Sequence, residues 1–70
     1  METTTIGVNA GAVWNLLNEN GKMEVAILKK ESGLTEAELW AAIGWLSREG
    51  KVAYAPEKVG KKTVKYFTLA

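Results

Sequence analysis

The sequence predicts one α+β domain, with three helices followed by a two-stranded C-terminal hairpin. Three observations lead to this prediction. The chain has 70 residues, which is the size of a single small domain. Up to residue 49, apolar residues recur at three- and four-residue steps, as on helices with one buried face. From Val52 onward, β-branched and aromatic residues are grouped around Pro56 and Gly60, as in strands joined by a turn.

The first helix is predicted to begin at Asn9. Met1–Thr5 is a polar lead-in, and Asn9 is a good N-cap residue. An apolar stripe follows, and Asn20–Gly21 is a typical helix end. The stripe consists of Ala10, Val13, Trp14, Leu16 and Leu17.

A brief strand and a short helix are predicted next. Lys22–Glu24 is too short for an independent element, and we expect it to pair with the C-terminal hairpin. The helix covers Val25–Ser32, with Leu28 inward and Ile27 partly exposed. A tight turn containing Gly33 follows.

The third helix has the clearest start and stop signals. Thr35 and Glu38 have the spacing of a capping box, in which each side chain accepts a hydrogen bond from the other's backbone amide. Arg48 suits the negative end of the helix dipole, and Gly50 suits a left-handed exit. The predicted buried face consists of Leu39, Ala42, Ile43 and Leu46.

The C-terminal segment is predicted to be a basic hairpin. Val52–Ala55 is the first strand, Pro56 ends it, 57–62 contains a turn at Gly60, and Thr63–Leu69 is the second strand. The tip carries Lys58, Lys61 and Lys62. Helix, short strand, helix, turn, helix and two strands is the order of a winged helix-turn-helix domain.

Two runs of sequence carry a resemblance to a known family. NAGAVWNLL at Asn9–Leu17 and AAIGWLSREGKV at Ala41–Val52 resemble short bacterial winged helix-turn-helix proteins of uncharacterised function. The pattern of that family starts N-A-G-x-[IV]-W and has the centre A-I-G-W-L-x-R-E-x-K, and the resemblance spans about the whole chain. It implies the winged-helix fold and a DNA-binding function, and it supplies no binding residues.

The composition argues against an enzyme. The sequence contains no His, no Cys and no Asp. This removes imidazole acid–base groups, thiolate nucleophiles and the usual metal ligands. The Glu residues are scattered singly, and Ser32 and Ser47 have no candidate base. We therefore expect no catalytic site, cofactor, metal or small-molecule substrate.

We expect a soluble, cytoplasmic protein. No apolar run approaches the roughly 20 residues of a membrane span, and no signal peptide precedes the fold. A chain this short buries only about 60% of its unfolded surface, so self-association would stabilise it.

Charge is divided unevenly along the chain. Up to Glu49 there are seven Glu and four cations, whereas five Lys and one Glu follow. A cationic hairpin can hold phosphates, or its lysines can simply keep an exposed edge soluble. If the domain binds duplex DNA, we expect weak backbone contacts with little sequence preference. The candidate residues are Lys58, Lys61, Lys62 and Lys65, followed by Lys29, Lys30, Arg48 and Thr35.

The third helix is poorly suited to reading bases. In winged-helix DNA binders the first side chains of this helix meet base edges. Here Glu36 and Glu38 occupy those positions, where Glu38 completes the capping box and Glu36 complements the positive end of the helix dipole. The outward stripe is small and largely uncharged, with aromatic residues on either side. Such apolar patches usually mark an interface, so we expect a homodimer. The candidate interface consists of Ala37, Trp40, Ala41, Gly44, Trp45 and Ile27.

Two functions therefore remain open. One is a dimeric DNA-binding module of the transcription-regulator type, which grips the DNA backbone with its wing lysines. The other is a winged-helix protein-interaction module whose third helix is an interface and which binds no DNA. Analogy of fold favours the first, and titration with random duplex DNA distinguishes them.

Overall fold

Three helices pack against a small three-stranded antiparallel sheet, and a separate two-stranded hairpin extends from this sheet. The computed structural model describes residues 2–70, with Thr3 by its backbone alone. The helices are α1 (Thr3–Asn20), α2 (Val25–Ser32) and α3 (Glu36–Arg48). The strands are β1 (Met23–Glu24), β2 (Val52–Tyr54), β3 (Glu57–Val59), β4 (Lys62–Val64) and β5 (Tyr66–Leu69). The predicted winged helix-turn-helix class is confirmed.

The start of α1 differs from the prediction. The helix begins at Thr3, so the prediction that Asn9 is its N-cap is wrong. The expected polar lead-in is helical from Thr3 onward, and its first residue, Met1, lies outside the described residues. Ile6, spaced four residues before the buried Ala10, continues the apolar stripe by one turn. Its partial burial favours extension of the helix through threonines of low helix propensity. Asn9 lies inside the helix, and its buried Nδ2 atom has no hydrogen-bond partner among the described residues.

The core lies between the helices and the sheet. Its buried residues are Ala10, Val13, Leu17, Met23, Leu28, Leu39, Ala42, Ile43, Leu46, Val52 and Phe67. Trp14 and Leu34 are partly buried and pack against this cluster. The four-residue face predicted for α3 is confirmed. In the stripe predicted for α1, Trp14 and Leu16 are only partly buried.

The predicted pairing of β1 with the C-terminal hairpin is confirmed. The main sheet has the strand order β1-β5-β2, with Met23 opposite Phe67 and Tyr54 opposite the same residue on the other side. The Val25 amide continues the β1 ladder by one hydrogen bond of 2.9 Å to the Lys65 carbonyl. The chain then turns away into α2.

The wing is divided into two sheets. The continuous strand predicted over Thr63–Leu69 is interrupted at Lys65, and the segment before Gly60, predicted as turn, contains β3. Pro56 lies opposite Lys65 and accounts for the break, because its ring fixes φ at about −65°, away from the roughly −140° of an antiparallel strand. β3 and β4 form a separate two-stranded sheet, which we call the tip hairpin (residues 57–64). Gly60 has the positive φ of 63° that favours glycine in its two-residue turn.

Candidate nucleic-acid interface

The three tip lysines point in different directions. Lys58 lies opposite Thr63, and Val59 lies opposite Lys62. Directly opposed residues share a face of a hairpin and successive residues alternate, so Lys58 and Lys62 lie on opposite faces. Lys61 is in the turn between the strands. The tip therefore presents positive charge on both faces and at its end.

The only carboxylate of the tip hairpin, that of Glu57, is engaged in an ion pair. Lys22, in the turn after α1, pairs with Glu57, and its Nζ lies 4.7 Å from the centroid of the Tyr66 ring. This contact ties the base of the tip hairpin to the turn between α1 and β1. Within residues 2–70, the lysines at 58, 61 and 62 form no ion pair. Their charge is uncompensated within the hairpin.

A groove separates the tip hairpin from the helices. This wing groove has a volume of about 450 Å³. Its walls include Val25, Lys29, Glu36, Trp40, Lys62 and Lys65. The structure thus brings three candidate phosphate contacts, Lys29, Lys62 and Lys65, to one groove. Lys30 and Arg48 are exposed at the ends of α2 and α3, outside that groove.

The start of α3 is closed by the predicted capping box. The Glu38 amide donates to Thr35 Oγ1 over 3.2 Å, and the Thr35 amide donates to Glu38 Oε1 over 3.0 Å. The backbone hydrogen bond from Thr35, followed by the bond with its side chain, holds the pKa of Glu38 below its ordinary value. Thr35, a candidate DNA contact, thus uses its hydroxyl oxygen within the protein.

Comparison with known proteins agrees with this architecture. A family model described as a winged helix-turn-helix domain (DUF2582) matches residues 1–65. The chain belongs to this family. The solution NMR structure of protein BT2368 from Bacteroides thetaiotaomicron is similar, with a TM-score of 0.78 and 29% sequence identity. The match covers 97% of this chain and 79% of that one.

No curated protein matches the chain. The winged helix-turn-helix is typically a non-enzymatic DNA-binding fold, which agrees with the composition of this DUF2582 domain. Within residues 2–70 no helix is both long enough and apolar enough to cross a membrane. The same residues contain no cluster of three potential acidic metal ligands.

The outer face of α3 in this DUF2582 domain carries the small residues Ala37 and Gly44, which are exposed, and Ala41, which is half-buried. Trp40 and Trp45 lie on the two sides of this stripe. Their side chains are 42% and 38% exposed. Trp40 contacts the Phe67 ring edge-on, with centroids 6.2 Å apart, and walls the wing groove. Trp45 walls a different groove, of about 440 Å³, between α3 and α1.

The second groove was missed by sequence reasoning. Gly7 and Gly11 of α1 line it, and an added Cβ at either glycine would meet no atom within 4 Å. Glycines four residues apart lie on one side of a helix, so their spacing was the signal available. Neither glycine is required by packing within the domain.

The capping box predicts an acid-sensitive contribution to stability. The pKa of Glu38 is lower in the folded domain, so its stabilising effect is complete above the ordinary glutamate pKa of about 4.3 and is lost as the pH falls through the folded value. We expect the wild type to melt at a higher temperature than Glu38→Gln at neutral pH, and the difference to disappear in acid.

Thermal melts across this pH range test the expectation. Gln keeps an acceptor at the capping position and removes only the charge. Glu19→Gln removes an exposed carboxylate that makes no hydrogen bond within residues 2–70, and controls for net charge. A difference between wild type and Glu38→Gln that is independent of pH would contradict the prediction.

Proposed function

We propose that this domain is a cytoplasmic DNA-binding protein of the transcription-regulator type that contacts the backbone of duplex DNA through its wing. The observation that carries the proposal is the tip hairpin. Lys58 and Lys62 lie on its opposite faces, Lys61 lies at its end, and its one carboxylate is paired with Lys22. A narrow ribbon with cations on both faces suits a groove bordered by two phosphate backbones.

The same residues imply little sequence preference. Phosphate contacts position a protein on DNA, whereas contacts with base edges specify the sequence. The first turn of α3 offers Glu36 and Glu38, of which the second is engaged in the capping box. Lys65 and Lys29 in the wing groove extend the cationic surface, and Lys30 and Arg48 are more distant supplements. We propose no catalytic role.

Removal of two tip lysines tests the proposal. We expect Lys61→Ala/Lys62→Ala to weaken binding to random duplex DNA, and to reduce the log–log salt slope by about 0.9 for each phosphate that the variant no longer neutralises. Fluorescence anisotropy at several salt concentrations measures both quantities. Lys51→Ala is the control, because Lys51 pairs with Glu49 outside the wing. A parent that does not bind at low salt, or a double variant with the parent slope, excludes the proposal.

We also propose that the protein is a homodimer through the outer face of α3. The supporting observation is Gly44, which lies in mid-helix although an added Cβ would meet no atom within 4 Å. Glycine costs a helix about 1 kcal/mol relative to alanine, and close approach of a second helix would account for it. Ala37 and Ala41 complete the stripe. Trp40, Trp45 and the 43% exposed Ile27 would supply apolar area beside it.

If DNA is not bound, this interface favours the alternative function, a protein-interaction module. In a symmetric pair one surface patch meets its own copy. Burying α3 in that way would hide the surface with which winged helices normally read bases. The DNA titration therefore separates a dimeric DNA-binding protein from a dimeric interaction module.

A further inference from the structure

The edge of β4 that faces away from β3 is open. Val59 and Lys62 flank a two-residue turn, so the hydrogen bonds between the two strands use Lys62 and Val64. The alternation of an antiparallel ladder then directs the amide and carbonyl of Thr63 to the other edge. These backbone groups point away from the tip hairpin.

The strand that would cover this edge ends too early. β1 pairs with β5 through Met23 and Glu24, and the Val25 amide adds one further bond to the Lys65 carbonyl. The chain then enters α2, so no strand within residues 2–70 reaches the edge at Thr63. The edge borders the wing groove instead, since Thr63 is among the residues that line it.

The walls of the wing groove indicate what could occupy it. Val25, Leu39 and Trp40 give it an apolar side, and the Trp40 ring contacts Phe67 edge-on. Lys29, Lys62 and Lys65 also line the groove and form no ion pair within residues 2–70, and they outnumber its two acidic residues, Glu24 and Glu36. Lys58 and Lys61 add positive charge on the adjacent tip.

We propose that the wing groove binds an extended acidic segment of a partner protein, which adds a strand to the open edge of β4. The free amide and carbonyl of Thr63 select an extended backbone, because only a strand pairs with such an edge. One apolar side chain of the segment packs on Trp40, and carboxylates beside it meet the lysines. This site shares Lys29, Lys62 and Lys65 with the proposed DNA contacts and Trp40 with the proposed dimer interface, but it depends on neither proposal.

Titration of the whole domain with a defined peptide tests the proposal. The probe is a capped heptapeptide of alternating glutamate and valine, and the comparison peptide has lysine in place of glutamate. We expect saturable shifts of the Thr63 amide and the Trp40 indole in nitrogen–proton NMR spectra with the acidic peptide only. Hydrogen exchange of the Thr63 amide should slow on binding, because a new hydrogen bond protects it.

A pair of proline variants separates the two edges of the tip hairpin. Thr63→Pro removes the amide on the open edge without removing a bond to β3, and should weaken the acidic peptide about tenfold. Lys58→Pro makes the equivalent change on the opposite edge, since Lys58 is the residue that Thr63 faces. It should bind the peptide as the parent does, apart from the small effect of removing one charge.

Several results would overturn the proposal. Absence of saturable binding, equal binding of the lysine peptide, or shifts confined to Trp14 and Trp45 would each exclude an acidic strand at β4. Displacement of the peptide by a single-stranded oligonucleotide that itself shifts Trp40 and protects no amide would assign the groove to nucleic acid instead. Lys58→Ala/Lys61→Ala removes two tip lysines that do not line the groove, and loss of duplex DNA binding with retained Thr63 protection in this variant would support a site separate from the proposed DNA contacts.

Discussion

Leu46→Ala is expected to unfold a large fraction of the domain at room temperature. Leu46 is 3% exposed and belongs to the face of α3 that packs into the core. Truncating a buried leucine costs roughly 2–5 kcal/mol, from the transfer free energy of the removed atoms and from the cavity left behind. Small domains have total stabilities near the lower end of about 5–15 kcal/mol, so one such cavity removes most of the free energy of unfolding.

Urea and thermal unfolding followed by circular dichroism measure this effect. Val8→Ala is the control, because Val8 is also an apolar helical residue but is 68% exposed. We expect its free energy of unfolding to stay close to that of the parent. A Leu46→Ala variant that unfolds cooperatively at the parent temperature would show that α3 does not bury this face.

Gly44→Glu is expected to convert a dimeric parent into a folded monomer. In the proposed interface a carboxylate at Gly44 would be buried against its own copy, which is costly for an unpaired charge. In the monomer the side chain would enter open space. Replacing glycine within a helix also removes a penalty of about 1 kcal/mol. The variant should therefore lose association and gain intrinsic stability, and Ala41→Glu should likewise dissociate the dimer.

Sedimentation equilibrium at micromolar concentration, with thermal melts of the same samples, measures both effects. Ala12→Glu is the matched control, since Ala12 is an exposed residue within α1 outside the proposed interface. Gly44→Ala separates the effect of charge from that of helix propensity. A monomeric parent, or a Gly44→Glu variant that still dimerises, would remove this interface.

The elements with strong local signals could be predicted from the sequence. The capping box lies within four residues, and Gly33 and Gly50 both adopt left-handed conformations beside helix ends. The start of α1 could not be read in that way. Asn9 resembles a cap locally, but the helix continues before it through the partly buried Ile6. Local propensity is a weak guide where tertiary packing opposes it.

In the candidate site, too, local features could be predicted from the sequence and features set by strand pairing and packing could not. The cluster of lysines at the tip is visible in the sequence, but their distribution over two faces depends on the strand register. Nothing at Lys65 marks the break in the second strand, because its cause, Pro56, lies on the opposite strand. The separation of Trp40 and Trp45 into different grooves depends on how α3 packs against the sheet and against α1.

Because the wing is divided into two sheets, its outer part, the tip hairpin, can change without disturbing the core. Within residues 2–70, no buried core residue lies in the tip hairpin, and the sheet β1-β5-β2 is complete without it. The length, charge and turn of residues 57–64 can therefore vary with little effect on the stability of the fold. A new ligand preference can therefore arise in the tip hairpin while the helices and their core remain unchanged.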